Sequence, residues 1–434
     1  MTSKNDRAWN KVFNDLNLLD SIQKDGHARI SASTLKEVGG REPRLMAKQD
    51  TLESRPDIFR KHQLVILPIK NGEYIIFQDP DSRSYFQFDL DSGTIPIEIH
   101  ESDPFVDRLE TLDLGSISGE FQALDYANIA SVLKTYTHEP ELFLTIRGRL
   151  RSSSFSIALP GRDESIPIQG VQMEIDSGFE GSQGIYLIEA KMGKRQDFHI
   201  RQLYFPWKDW SSRSQKPVIP IFFSYSNGLF YLTTFHFGER YGVMEIVDQR
   251  CFSVDEDPFL VVEYDTFSAP IPVDPCEPDT APFPQANDID KIIDLVVSFN
   301  DELDTKEAIA EYFEFDERQG DYYANAAIYL GFLERGETRG QFVLTPLGYE
   351  LKRCKTRRCR NGLLLTQLFK RPTFRYSIEL LRESHFDIES ISTQSIADLL
   401  CRYDTRYNSV TRLRRASTVK SWLKWICMNV RFDG

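Results

Sequence analysis

Long apolar runs are absent: nowhere in the 434 residues do about 18 apolar side chains follow one another, the length a helix needs to cross a bilayer. The first residues carry no charged-then-apolar leader. A membrane span and export are therefore both unexpected, and a cytoplasmic protein with no membrane partner is the expectation. Cysteine is sparse, with six residues (Cys251, Cys276, Cys354, Cys359, Cys401 and Cys427) and no CxxC pair. Without histidines near Cys354 and Cys359 a zinc site is unexpected, and reduced thiols are the default. His199 and His236 stand alone and read as ordinary residues.

A surplus of positive charge is also missing. The net charge is -13 and the pI near 5.2, which looks wrong for a nucleic-acid binder until the distribution is considered. Residues 253–290 hold ten acidic side chains and no basic one. Residues 351–375 hold nine Lys or Arg and no acid, and residues 402–424 hold seven basic residues against Asp404. Those blocks could neutralise phosphates or be solvated helix faces. A hydrophobic content of 41% suffices for roughly two or three packed domains.

The informative stretch runs from Val171 to Lys191. Val171, Met173 and Ile175 alternate with Gln172, Glu174 and Asp176, as in a half-buried strand with an acidic polar side. Ile185 to Lys191 reads as a second strand, and the glycines around Ser182 and Gln183 suit a tight hairpin. Symmetric closure sets Asp176 opposite Glu189 and Glu174 opposite Lys191. Opposed carboxylates destabilise a sheet unless something positive lies between them, and Lys191 supplies only part of that charge. A divalent cation such as Mg²⁺, held by carboxylates and a substrate phosphate, would complete the site.

Asp176, twelve intervening residues and Glu189-Ala190-Lys191 resemble the signature of the PD-(D/E)XK nucleases, with Ile175 in place of the usual proline. The resemblance implies that Asp176, Glu189 and the carbonyl of Ala190 bind Mg²⁺ or Mn²⁺, and that Lys191 orients or helps deprotonate the attacking water. Glu174, on the same acidic face, joins the catalytic set. Gln202 resembles a glutamine that several branches of the superfamily use to hold the site. Glu120, at a helix start, reads either as an extra metal-site acid or as a charge placed to suit the helix dipole.

Around this hairpin the chain reads in order. Trp9, Val12, Phe13, Leu16, Leu19 and Ile22 predict one helix over Arg7 to Gln23, ended by Gly26, with a second short helix after Ser31. The first residues thus form a helix-turn-helix-like unit or a packing hairpin, followed by a charged loop bearing Arg44 and Lys48. Residues 64–99 read as a β-rich sheet with turns at Asn71-Gly72 and Asp91-Ser92-Gly93. Then come a helix over Gly119 to Tyr136, a strand over Ser154 to Leu159 that feeds the hairpin, and a helix over Phe198 to Asp209 that Pro206 must shorten or kink. Strands at Val218 to Tyr225 and Leu229 to Phe237 are joined by Asn227-Gly228. Lys194, Arg195, Arg201 and Lys208 lie among aromatics beside the hairpin, where phosphates would need positioning.

Six prolines between Pro270 and Pro284 mark a stiff acidic linker. Beyond it, helices at Asp288 to Phe299, Thr305 to Phe313 and Tyr322 to Leu333, then a strand from Gln341, resemble a winged helix, which binds DNA or mediates dimerisation. The expected fold is mixed α/β (α+β): a small helical unit over 1–57, a PD-(D/E)XK restriction-endonuclease-like core sheet flanked by helices over 58–270, a linker over 271–287 and a winged-helix domain over 288–434. Together these features resemble a bacterial type II restriction endonuclease. That resemblance implies Mg²⁺-dependent cleavage of double-stranded DNA by a homodimer in a bacterial or archaeal cytoplasm, with Arg44, Lys48, Lys194, Arg195, Arg201, Arg357 and Arg358 on the DNA. A repair or recombination nuclease and a non-catalytic winged-helix regulator are the alternatives.

Overall fold

Ser3 and Asp6 close a reciprocal capping box, and the helix they start, α1 (Lys4–Asp15), buries Trp9, Val12 and Phe13. The computed structural model describes residues 3–89, 95–103, 105–160, 164–255 and 257–433 and has a mixed α/β fold. The single helix expected over Arg7 to Gln23 is two. Asn17 adopts a left-handed conformation (φ 48°), and α2 (Leu18–Asp25) restarts with Leu18 and Ile22 turned into the same core. Gly26, at φ 78°, ends it. A strand follows instead of a turn: β1 (His27–Ser31) precedes α3 (Ala32–Gly39), whose cap is Ser31, so helix-strand-helix replaces helix-turn-helix. After α4 (Pro43–Ala47) and α5 (Asp57–His62), β2 (Leu64–Lys70) and β3 (Glu73–Gln78) form a hairpin, and β1 pairs antiparallel with β3.

The β-rich stretch 64–99 divides among three sheets. Buried Asp79 accepts hydrogen bonds from Arg83 N (3.0 Å) and Ser84 N (2.7 Å) and turns the chain out of the first. β4 (Tyr85–Gln87) then pairs elsewhere, and β5 (Ile97–Ile99) joins a seven-stranded sheet. The expected Asp91-Ser92-Gly93 turn lies outside the described residues. Next come α6 (Glu120–Ile129), α7 (Val132–Thr137), β6 (Phe143–Arg151), β7 (Ser154–Ala158), β8 (Ser165–Gln169), β9 (Gln172–Glu180), β10 (Ile185–Met192), β11 (Asp197–His199), α8 (Arg201–Ser211), β12 (Val218–Ser226), β13 (Leu229–Phe237) and β14 (Met244–Ser253).

Order in the large sheet is β5-β14-β13-β12-β10-β9-β6, with β10 parallel to β12 through the α8 crossover. β7, the strand expected beside the hairpin, lies instead in a five-stranded sheet, β1-β3-β2-β8-β7. Its Ile157 is needed there, in a core with Ile166, Leu203 and Phe205. The place beside β9 goes to β6, a largely exposed edge strand whose charged Arg147-Gly148-Arg149 resembles a loop in sequence. Leu124, Leu133 and Tyr136 of α6 and α7 cover one face of the large sheet; Leu203, Tyr204 and Phe205 of α8 cover the other. α8 begins three residues later than expected, because Asp197 to His199 pairs with β4, and it continues through Pro206. Asn227 (φ 44°) and Gly228 (φ 81°) form the hairpin turn between β12 and β13.

The rest builds its own core from β15 (Leu260–Glu263), α9 (Tyr264–Ser268), α10 (Ile289–Ser298), α11 (Lys306–Phe313), α12 (Glu317–Tyr329), β16 (Leu333–Arg335), β17 (Phe342–Leu344), α13 (Pro346–Arg353), α14 (Arg357–Lys370), α15 (Pro372–Glu383), α16 (Thr393–Tyr403), α17 (Ser409–Asn429) and β18 (Val430–Asp433). The acidic proline-rich segment is no free linker. Ala281, Phe283 and Ala286 enter this core, and Asp274 N and Glu277 N donate to the carbonyls of Lys370 and Tyr403. Leu333 starts a strand where a helix end is expected. Cys354 and Cys359 are joined by a disulfide rather than reduced, because the turn capped by Thr356 brings their Cα atoms to 5.7 Å. Among the described residues no helix is long and apolar enough to cross a membrane.

Candidate functional site

β9 and β10 pair in the register expected from symmetric closure, from Ile185 opposite Glu180 to Ile188 opposite Ser177. There the ladder stops. On the other side of β9 the register against β6 shifts between Ile146 and Gly148, so three residues of β9 span what two of β6 do. This bulge contains Asp176 and Ser177, and bulges re-aim side chains. Arg147 pins it, with Nε donating to the Asp176 carbonyl (3.2 Å) and Nη2 to Ser177 Oγ (2.8 Å). Asp176 Oδ2 then reaches across the opened ladder and accepts from Ala190 N at 2.8 Å.

On β10, Ala190 and Ile188 face α6 while Glu189 and Lys191 fall on the side of α8. Lys191 Nζ donates to Glu189 Oε1 at 2.7 Å, and Gln202 Nε2 donates to the same oxygen at 2.6 Å. Asp176, Glu189 and Lys191 are all buried, at 7%, 6% and 6% exposure. The three are thus gathered at the carboxyl end of a parallel strand pair, where open α/β sheets place ligands. Glu174 is not: the ladder ends before it could face Lys191, and it is exposed, 3.4 Å from Arg149 Nε across the β6 pair.

Two further acids join the cluster. Glu120, first residue of α6, lies close enough for its charge to bear on Glu189 and Lys191. Glu314, just past α11, places Oε1 3.6 Å from Lys191 Nζ and also 3.6 Å from Lys48 Nζ, with Oε2 3.6 Å from Arg195 Nη2. Glu314 carries no signal in sequence, since it lies over a hundred residues beyond the hairpin. The electrostatics follow from four acids around buried cations. Burial lowers the pKa of the Lys191 ammonium but is overcome by Glu189, Glu314, Glu120 and Asp176, which hold it well above its ordinary value. Burial pushes the carboxyls of Glu189, Asp176 and Glu120 upward, with Lys191 opposing in each case. For Glu314 the pull of Lys191, Arg195 and Lys48 outweighs burial and brings it to about 2.

Of the expected phosphate contacts, Lys48 and Arg195 reach this cluster. Arg44 is exposed on α4. Arg201 pairs with Asp50 at 3.3 Å, and Lys194 sits 4.5 Å above the ring of Tyr231, both turned to internal partners. Arg357 is buried at 1% exposure, where Nη1 donates to the Asn227 carbonyl (2.8 Å) and Nη2 to Asn429, so it is a structural residue out of reach of any DNA phosphate. Exposed Arg358 pairs with Asp257 at 3.2 Å. His199 is buried beside Tyr85, and burial together with Arg201 and Arg55 lowers its pKa.

Hard oxygen donors in a buried, electron-rich setting suit a divalent cation. Asp176, Glu189 and Glu120 keep raised pKa values beside Lys191, chiefly because burial disfavours their charged forms, which a bound cation would favour. Among the described residues no group of three acids, histidines or cysteines is placed to hold a metal ion, and Lys191 and Gln202 both donate to Glu189 Oε1.

Comparison with known families divides the chain into three. Residues 6–76 match the domain of unknown function DUF6996, residues 81–253 match the domain of unknown function DUF6997, and residues 291–431 match the domain of unknown function DUF7226. No curated protein and no solved structure matches the chain. The site draws on all three matched regions: Lys48 from the first, the hairpin and Gln202 from the second, Glu314 from the third.

Proposed function

We propose that this protein is a PD-(D/E)XK nuclease that hydrolyses phosphodiester bonds of duplex DNA with Mg²⁺ or Mn²⁺, in the manner of a type II restriction endonuclease. The observation that carries the reading is the meeting of Asp176, Glu189, Lys191 and Gln202 where β9 and β10 part. The order around it supports the same reading: helices α6 and α7, antiparallel β6, β9 and β10, crossover helix α8, then β12 parallel to β10. By resemblance the family's core runs helix, strand, strand, strand, helix, strand, and the present order is compatible with it if β7 and β8 are an excursion into the neighbouring sheet.

Asp176 and Glu189 would hold the ion with the Ala190 carbonyl, and once bound it would polarise the scissile phosphate and acidify a water. Gln202 fixes the Glu189 carboxylate, as an outer partner must if the donor is to point one way. Lys191, kept protonated by its acids, stabilises negative charge on the phosphate and orients the incoming water. Lys48 and Arg195 flank the same point and would position the strand.

Two winged-helix-like orders supply candidate DNA-docking units. At the amino end, α2, β1, α3, α4 with α5, β2 and β3 follow that order, with β3 central in the three strands. At the carboxyl end, α10, α11, α12, β16 and β17 do so too, with Thr305 bridged to Gln341. The amino-terminal unit is the better reader of bases, because it leaves Arg44 and Leu45 exposed, whereas α12 is buried from Tyr323 onward. Cutting both strands takes two such sites, which a two-fold homodimer would provide.

Incubation with Mg²⁺ and unmethylated plasmid, followed by sequencing of the ends, tests the proposal. Discrete bands with a shared end sequence are expected, EDTA abolishes them, and Lys191→Ala slows cutting by about a thousandfold or more while DNA is still bound. Cutting governed by DNA structure would point to a repair nuclease; binding with no cutting would leave a regulator.

A further inference from the structure

We infer that Glu314 is an internal stand-in for a DNA phosphate: its carboxylate occupies the seat between Lys48, Lys191 and Arg195, and the α11–α12 corner must withdraw it before a strand can enter. This rests on the nuclease reading and adds to it a closed resting state.

Lys48 lies far in sequence from Lys191 and Arg195, yet all three stand 3.6 Å from a Glu314 oxygen. These are ion pairs without a short hydrogen bond, as an acid makes in a seat shaped for something larger. The seat has unused capacity. The Arg195 side chain is 5% exposed, and its Nε and Nη2 find no hydrogen-bond acceptor; Gln202 Oε1 also lacks a partner. A tetrahedral phosphate diester sets its two anionic oxygens farther apart than a carboxylate does and pairs well with a guanidinium.

Glu314 itself is held under strain, whereas the helix before it is well fastened: the Tyr312 hydroxyl bonds the Ser118 carbonyl and Ser298 Oγ, each at 2.8 Å, and Phe313 is buried. Glu314 ends α11 at φ 57° and ψ 41°, a left-handed conformation uncommon for any residue but glycine, asparagine or aspartate. Such outliers persist where the surroundings impose them and cluster at switch regions. Across the same corner Glu53 lies beside Asp316, and burial together with that like charge raises its carboxyl. Beyond Glu314 the link from Gln319 Nε2 to Glu53 Oε1 is long, at 3.4 Å. Attachment of the carboxyl-terminal unit does not depend on this corner, because Asp290, Asp294 and Arg357 grip the β12–β13 turn. The turn at Glu314 can therefore move while Tyr312 and Phe313 stay anchored and the unit stays docked.

The test measures binding of fluorescein-labelled duplex fragments of plasmid DNA to the full chain in EDTA, where nothing is cut. Glu314→Gln, which keeps the shape and removes the charge, should bind at least about tenfold more tightly than wild type, and Glu314→Ala likewise. Equal or weaker binding by a folded Glu314→Gln protein overturns the inference. In wild type, amide exchange over residues 311–320 should quicken when duplex is added, and unchanged or slower exchange overturns it independently of any variant. Cleavage in Mg²⁺ separates the two proposals. Tighter binding by Glu314→Gln with no cutting by any protein sinks the nuclease and leaves the stand-in, whereas cutting by wild type with no gain in binding does the reverse. If Glu314 served catalysis instead, Glu314→Gln would bind as wild type does and cut more slowly, which also overturns the inference.

Discussion

Two buried charge clusters lie at the same end of the large sheet and are built differently. Around Lys191, paired in register with Ser224 of β12, four acids crowd one ammonium, and the Glu314 carboxylate meets Lys191 and Arg195 at 3.6 Å. A few residues on, at Ser226 and Asn227, Asp294 accepts from Ser226 Oγ (2.6 Å) and Asn227 N (2.7 Å), while Asp290 accepts from Asn227 Nδ2 and Trp425 Nε1, each at 3.0 Å. Arg357 completes that second cluster through the Asn227 carbonyl and Asn429. Removing charges from water is costly, and a buried network holds only if short hydrogen bonds replace the lost hydration. The second cluster is a joint in which short hydrogen bonds reach both carboxylates, with Asn227 Oδ1 and Arg357 Nε left over; the first sets four acids around one ammonium, the imbalance that the proposed ion would relieve.

The sharpest way to break that comparison is Arg357→Ala. It strips a buried partner from Asp290 and from the Asn227 carbonyl, and should cost about 3–4 kcal/mol in urea unfolding. Duplex binding by the folded protein should change little, and a large loss of affinity at unchanged stability would make Arg357 a DNA contact after all. Gln202→Ala asks the opposite of the first cluster. It frees Glu189 from a 2.6 Å hydrogen bond at a half-buried position. Cleavage should fall about 30- to 100-fold with little change in thermal stability, as for other residues that orient a metal ligand. A fall in stability with cleavage intact would reduce Gln202 to packing.

How much of this was legible depended on how local the cause was. The hairpin register follows from its glycines and alternating residues, and the structure repeats it from Ile185 to Ile188. The bulge at Asp176 does not, because it arises against β6, a strand whose charged, exposed sequence gives no apolar period. Gln202 was reached only through a resemblance, whereas Glu314 was not reached at all, since nothing in its surroundings says that a helix end more than a hundred residues away closes on Lys191. The basic run at 351–375 misled for a physical reason. Charge counted along a sequence does not show which face is buried: Arg357 and Arg360 turn inward and Arg371 donates to the Tyr329 carbonyl, so much of that charge is spent inside the fold. In the proline-rich segment the stiffness was visible, but not the docking of Phe283 that it serves.

The smallest effect tests the joint by pH. Asp294 is buried, and burial raises its carboxyl from 3.8 to about 7, with Asp290 and Asp288 adding and the hydrogen bonds from Ser226 and Asn227 opposing. Its folded pKa therefore lies above its unfolded one, so the folded state binds the extra proton. The stability this provides is complete below about pH 4 and is lost as pH rises through 7. Asp290 runs the other way. Arg357 and Lys194 outweigh its burial and lower its pKa, so its contribution is present above its ordinary range and fades in acid. Asp294→Asn isolates the first term: the amide oxygen can still accept from Asn227 N, the amide nitrogen can donate to Ser226 Oγ, and no proton is exchanged. Relative to the variant, wild type should lose about 1–2 kcal/mol between pH 5 and pH 8, measured as the difference in thermal unfolding at each pH so that effects common to both proteins cancel. A difference that stays flat across that range would mean Asp294 is ionised throughout, and the joint would then carry the same uncompensated charge as the site beside it.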